Sequence, residues 1–271
     1  MTNLLRAHFA RLWKSKLFWL CLLGAYILGV TLGDSAVMEY AGGYGSSDLW
    51  GEPLCGFGLL SGIVCAALFS LFFGAEYADG ALRNKLIAGH SRTSVYLSVL
   101  VTSFLAALMI YAASLAASLF PGPLQGLWNL PAPDTAAAMR AVAGTALMIM
   151  AGCAICTAFC MLIRQRAVLA VALILFMVAL FVVSLQVGDR YETVTASAME
   201  MFIGPNGPEY IWHQGQEAGP VLTFLYDFLP VSQAFRYMSL EATPVLLAYA
   251  ALLTAVTTAA GLFFFRRENI T

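Results

Sequence analysis

Charged residues are scarce in this sequence. Lys and Arg account for 14 of its 271 residues and Asp and Glu for 15, so only 11% are charged while 61% are hydrophobic. Soluble domains carry about 25% charged residues and fewer apolar ones. The composition therefore excludes an ordinary soluble enzyme. With a net charge of −1 and its basic residues in small clusters, the chain also lacks the broad cationic face that nucleic-acid binding requires.

Catalytic motifs are missing as well. The sequence contains no G-x-x-x-x-G-K-[ST] loop for nucleotide phosphates, no G-x-S-x-G and no H-E-x-x-H, and His8, His90 and His213 lie in three separate segments. We therefore expect no catalytic residue and no cofactor on this chain.

The cysteines do not form a pattern typical of a disulfide framework. All six fall inside apolar runs, and only Cys55, at the start of its run, lies near a polar segment. Cys153, Cys156 and Cys160 share one helical face, as a metal stripe would. Because that helix is apolar and has no His nearby, the spacing favours small packing residues, and no metal site is predicted.

Long apolar runs are the dominant feature of the chain. A bilayer core about 30 Å thick needs about 20 apolar residues in a helix. Six runs qualify, at approximately 17–33, 54–75, 95–119, 141–163, 167–187 and 245–265, and none contains Asp, Glu, Lys, Arg or His. The prediction is one all-α transmembrane domain over 1–271 with six spans. Ion-coupled carriers usually place ionisable groups inside the bundle. The absence of such groups from the six runs argues against an ion-coupled carrier without excluding one.

The distribution of charge predicts the orientation of the spans. With the N-terminus inside, the cytoplasmic segments hold eleven of the 14 Lys and Arg residues and leave only Arg140, Arg190 and Arg236 outside. Twelve of the 15 acidic residues fall outside. By the positive-inside rule, both termini are cytoplasmic.

Three further segments carry structural predictions. Residues 3–16 place Leu5, Phe9, Leu12 and Trp13 on one face, which favours a helix in the inner headgroup layer over a frayed terminus. Gly and Pro predict loops over 34–53 and 120–139. The longest outer segment, 188–244, is predicted to form a helical hairpin before the last span.

The loop between the second and third spans is the most informative cytoplasmic segment. In 74–92, Asp79-Gly80 can start a short helix and Gly89 can stop it. Leu82, Leu86 and Ile87 could anchor that helix in the interface or in a partner's groove. From charge alone, a loop that merely fixes topology explains the segment equally well.

This loop resembles that of a known family. The run EYADGALRNKLIAGHSR, after a span ending in Phe72-Phe73-Gly74, is similar to the cytoplasmic loop of permease subunits of type 2 ABC exporters, in the bacterial branch with E-Y-x-D-G-T-[IL]-R-N-K-L-I-x-G-x-[ST]-R. Asp227 to Ala234, DFLPVSQA, resembles a D-F-L-P-x-x-Q-A run of that branch. Ala81 departs from the pattern, since Thr is usual there. Without that hydroxyl, Asp79 is the expected cap of the short helix.

The resemblance implies a set of partners and interface residues. Residues 76–92 would be a coupling helix seated in a separate ATPase subunit, which carries ATP and Mg, and 3–16 a connecting helix. Two ATPase copies and a second permease, identical or related, would complete the complex in a bacterial cytoplasmic membrane. The residues expected at the ATPase contact are Glu76, Asp79, Gly80, Arg83, Asn84, Lys85 and Arg92.

Two small-residue pairs suggest how the permeases could meet. Gly29 and Gly33, and likewise Gly58 and Gly62, have the G-x-x-x-G spacing of close helix packing. In the family the first and fifth spans help to form the permease dimer, so these glycines are dimer-packing candidates, although such pairs also recur by chance.

The expected function is ATP-driven export of a hydrophobic or amphipathic solute, such as an antimicrobial peptide or drug. Two alternatives remain open. One is a channel or carrier that works without ATP. The other is a membrane sensor or scaffold that uses the outer segment to bind a peptide.

Overall fold

The computed structural model describes residues 2–41, 49–78, 80–119, 132–163, 165–195, 198–204, 207–213 and 215–267, and the statements on structure below refer to these ranges. In chain order the elements are α1 Thr2–Lys14, α2 Lys16–Ala41, α3 Gly51–Cys55, α4 Phe57–Ala78, α5 Ala81–Ile87, α6 Arg92–Leu119, α7 Thr135–Leu162, α8 Arg166–Thr195, β1 Ala198–Gly204, β2 Gly207–His213, α9 Pro220–Phe228, α10 Pro230–Met238 and α11 Pro244–Arg267.

Six helices in the described ranges are long and apolar enough to cross a membrane: α2, the α3–α4 pair, α6, α7, α8 and α11. Each contains one of the six predicted runs, so the expected all-α, multi-pass membrane fold is confirmed. The helices run further than the apolar residues. Helix α2 continues through Asp34 to Ala41, where a loop was predicted, and α8 continues from 187 to Thr195.

The core lies between three of the spans. At least half of the most apolar stretch is buried in α4, α6 and α7, against less than a quarter in α2, α8 and α11. Helix α2 packs along α6, α8 along α4, and α11 along α7. The three peripheral helices therefore present apolar side chains, such as Leu23 and Phe263, to the surroundings.

Helix α1 is helical over the predicted segment and packs on α6. Leu4, His8 and Leu12 are buried, whereas Phe9 is partly exposed and Trp13 half exposed. The ridge that contacts the spans therefore lies beside the predicted apolar face, and most of that face stays accessible.

The outer segment only partly matches its prediction. Helices α9 and α10 supply a helical pair over 220–238, but 198–213 is wrong as helix, since β1 and β2 pair antiparallel there, with Ala198 opposite His213 and Gly204 opposite Gly207. Pro205, Pro208 and the glycines disfavour a helix, and the flanking aromatic and β-branched residues favour strands.

The packing of α2 on α6 gives a stability prediction with an internal control. A Cβ at Gly29 would meet the carbonyl of Ser114 and lie 2.8 Å from the Cβ of Ala117, whereas one at Gly24 would meet nothing within 4 Å. Gly29→Ala should lower the free energy of unfolding by about 1–3 kcal/mol through overpacking. Gly24→Ala should leave it unchanged or slightly raised. Unfolding in mixed micelles measures both, and equal values would contradict this packing.

Candidate functional site

The short helix α5 lies at one end of the bundle, called here the α5 end. It is bounded by two glycines in the left-handed region, Gly80 at φ 66° and Gly89 at φ 86°. The amide of Asn84 donates to the carbonyl of Gly80 at 3.1 Å, and that of Ala88 donates to the carbonyl of Asn84 at 3.0 Å. The predicted start and stop of this helix are thus confirmed.

Lys85 connects α5 to α1. Its Nζ lies 3.2 Å from Nε2 of His8, which is 2% exposed. A charged ammonium group has only donors, so Nε2 of His8 accepts. The ring of His8 packs edge-on to Phe73 of α4, with centroids 6.0 Å apart. His8 thus links α5 both to α1 and to the end of α4.

Arg92 connects the start of α6 to the end of α11. Its Nη1 donates to the carbonyl of Arg266 at 3.1 Å and to that of Phe265 at 3.4 Å. The last carbonyls of a helix lack partners within it, so an arginine here also caps α11. One turn along α6, Tyr96 packs its ring on Phe265, with centroids 6.1 Å apart.

The predicted coupling residues occupy different positions in this arrangement. Gly80 bounds α5, Asn84 is exposed, Lys85 is half-buried against α1, and Arg92 begins α6. By backbone position Glu76 belongs to α4 and Arg83 to α5. Their side chains, and Asp79 as a whole, lie outside the described residues. The contacts of Lys85 and Arg92 with α1 and α11 were not predicted.

A polar cluster lies at the opposite end, called here the α9 end. Arg236 of α10 forms ion pairs with Asp227 at 3.0 Å and with Glu241 at 2.9 Å. It also donates to the hydroxyl of Tyr191 on α8, at 3.2 Å. Burial lowers the pKa of Arg236, but its hydrogen bond to Glu241 and the charge of Asp227 offset this, and the net pKa is raised. The guanidinium stays charged.

Two tyrosines form one wall of this cluster. The rings of Tyr191 and Tyr226 stack with centroids 4.1 Å apart, and the guanidinium carbon of Arg236 lies 5.2 and 5.1 Å from them. Burial raises the pKa of Tyr226 to about 12. Since this pKa lies above that of an unfolded tyrosine, the stability contributed by the neutral phenol is present below about pH 10 and is lost as pH rises towards 12.

The DFLPVSQA run has a structural role that the sequence did not reveal. The side-chain amide of Gln233 donates to the backbone carbonyl of Asp227 at 2.7 Å, closing the turn between α9 and α10. The hydroxyl of Ser232 donates to the carbonyl of Ser184 on α8 at 3.2 Å. Ser232 and Gln233 are almost fully buried, so the run fixes the helical pair on the spans.

An apolar cavity of about 420 Å³ lies directly below this turn. Helices α7, α8 and α11 form its sides, Phe228, Leu229 and Pro230 contribute to its lining, and Thr257 is the polar side chain among its described lining residues. The rings of Phe159 and Phe176 pack within it at a tilt of 34°, with centroids 5.0 Å apart. Such a lining suits an apolar group and offers no site for a charged one.

The G-x-x-x-G glycines pack within the chain. Gly29 and Gly33 are buried on α2. A Cβ at Gly58 would lie 3.0 Å from Met148 and one at Gly62 would lie 3.6 Å from Met177. Their positions lend no support to dimer packing, which stays a prediction. The cysteine stripe is buried likewise, with Sγ of Cys153 3.8 Å from Sγ of Cys65.

No family model matches the chain, and no curated protein matches its sequence.

Proposed function

We propose that this chain is the transmembrane permease subunit of an ATP-driven exporter of the type 2 ABC class, in a bacterial cytoplasmic membrane with both termini inside. The observation that carries the proposal is the pair of contacts that join α5 to α1 through Lys85 and α6 to α11 through Arg92. The loop resemblance to ABC permeases supports the same reading.

The contacts suggest how the chain transmits movement. ATP and Mg bind to a separate ATPase subunit, whose closure displaces α5. The Lys85 to His8 contact passes the displacement to α1. The loop containing α5 leads directly into α6. Arg92, at the start of α6, therefore passes the displacement to α11, which forms one side of the apolar cavity. Access to the cavity then changes when α11 moves against α7 and α8.

The cavity indicates the class of solute. A volume of about 420 Å³ with an apolar lining fits part of a hydrophobic or amphipathic molecule, such as an antimicrobial peptide or drug. Two of its sides belong to the peripheral spans α8 and α11, so a second permease, identical or related, would complete a larger pathway.

Affinity purification of the chain from its native membrane, followed by mass spectrometry, tests the partner. We expect an ATPase subunit to co-purify with the wild type and to be lost, by about tenfold or more, from the Asp79→Ala, Arg83→Ala double variant, because hot-spot residues dominate interfaces. The control is Arg6→Ala, an exposed cation on α1. An ATPase absent from all three preparations would contradict the proposal and favour an ATP-independent carrier or a sensor.

A further inference from the structure

A second cavity, separate from the proposed pathway, lies at the α5 end. It has a volume of about 490 Å³ and is lined by Arg11 and Lys14 of α1, by Arg166 at the start of α8, and by parts of α2 and α4. Three cations from two helices thus border one space, and no carboxylate is among its described lining residues. Lys14 and Arg166 are exposed.

Apart from Ser15, the rest of the described cavity lining is apolar. Leu17, Leu71, Phe72 and Ala75 form it, and the guanidinium of Arg11 lies 5.4 Å from the ring centre of Phe72. Leu71 is 38% exposed, so this apolar wall continues onto the outer surface of the spans. The cavity is therefore amphipathic, with both cations and hydrocarbon in its lining.

A cluster of aromatic side chains indicates the depth of the cavity in the bilayer. Trp13 and Trp19, at the junction of α1 and α2, pack with ring centroids 5.1 Å apart, and the indole N–H of Trp19 donates to the carbonyl of Trp13 at 2.9 Å. Both are about half exposed. Tryptophans of this kind are enriched at the headgroup level, and Trp13 directly precedes Lys14. The cations of the cavity thus lie where lipid phosphates lie.

We infer that this cavity binds the headgroup of an anionic phospholipid of the adjacent leaflet. The phosphate accepts from Lys14 and Arg166, and an acyl chain follows the wall of Leu71 and Phe72. A soluble phosphate ester would satisfy the cations but leave that wall in water. This inference does not depend on the exporter proposal, since it concerns α1, α4 and α8 and involves neither α5 nor ATP.

Native mass spectrometry of the full-length protein in a neutral detergent tests the site, with phosphatidylglycerol, phosphatidylcholine and glycerol 3-phosphate as probes. We expect one phosphatidylglycerol to be retained in preference to phosphatidylcholine. Lys14→Gln, Arg166→Gln should weaken this binding by about tenfold or more. Arg6→Gln, Lys16→Gln removes the same charge from exposed positions outside the cavity and should leave it unchanged.

Three results would overturn the inference. The first is equal retention of phosphatidylglycerol and phosphatidylcholine. The second is equal weakening of phosphatidylglycerol binding in both double variants. The third is displacement of the lipid by glycerol 3-phosphate at a similar concentration, because that result would assign the site to a soluble anion. The melting temperature of each variant is measured alongside. If the double variant unfolds, a Lys14→Ala single variant that melts like the wild type gives a second test of lipid affinity.

Discussion

We expect replacement of Arg92 by Gln to abolish the proposed ATP-driven change in access to the apolar cavity while the proposed ATPase subunit stays bound. This expectation follows because Arg92 is the side chain that joins the start of α6 to the last carbonyls of α11. A reporter thiol at Ala158, on the cavity wall, measures access as the rate of maleimide labelling in a Cys21→Ala background. The other native cysteines are buried and react slowly. In the otherwise unchanged protein ATP should alter that rate by about tenfold, within the usual range of coupling between sites.

Arg267→Gln is the matched control for this experiment. Arg267 is an exposed cation on the same turn of α11, and its guanidinium packs on the ring of Phe263 instead of joining two helices. It should retain the full ATP response. If Arg92→Gln also retained the ATP response, the contact of Arg92 with α11 would not take part in transmission. If Arg92→Gln lost the ATPase subunit, the variant would act on binding of that subunit and not on transmission.

Arg236→Ala should lower the free energy of unfolding by about 3 kcal/mol. The substitution leaves the Asp227 carboxylate, whose side chain is 19% exposed, without its cation, and removes the guanidinium from the stacked pair Tyr191 and Tyr226. Arg236→Lys should recover only part of the loss, because an ammonium group cannot reach Asp227, Glu241 and Tyr191 with separate nitrogens. Denaturation in mixed micelles measures these differences.

Arg190→Ala serves as the comparison, since Arg190 is exposed and adjoins Tyr191 on α8. Its removal should change the stability by no more than about 0.5 kcal/mol. A loss of similar size in Arg190→Ala and Arg236→Ala would mean that net charge, and not the cluster, stabilises the α9 end.

The spans could be predicted because bilayer thickness sets the length of an apolar run, but the ends of their helices could not. Helix α2 passes Asp34 and ends at Ala41, and α8 carries Asp189, Arg190 and Glu192 on about two further turns. These polar residues are compatible with a helix in water. Apolar content marks only the part of a helix that lies in hydrocarbon.

The β-hairpin shows a different limit. Segment 198–213 contains apolar residues that fit a short interfacial helix as well as a strand, and short apolar runs are ambiguous between the two. The prolines and glycines around 204–208 carried the distinguishing signal. A helical hairpin could also place its joint there, whereas in the structure Gly204 and Gly207 close an antiparallel pair.

The candidate site was predictable only where its signals are local. Gly80 and Gly89 gave the bounds of α5, but the partner of Lys85 lies 77 residues away and those of Arg92 lie 173 and 174 residues away. Pairings across such separations depend on how the spans pack. The same holds for Arg236 and Tyr191, so the motif that contains Asp227 did not predict the polar cluster at the α9 end.

Photo-crosslinking from the exposed face of α5 tests the central claim most directly. Ile87 on α5 and Met139 near the start of α7 are each 74% exposed, at opposite ends of the bundle. With p-benzoylphenylalanine at either position in the native membrane, Ile87 should capture an ATPase subunit and Met139 should not. Capture of no nucleotide-hydrolysing protein from Ile87 would contradict the proposal that α5 couples this permease to ATP.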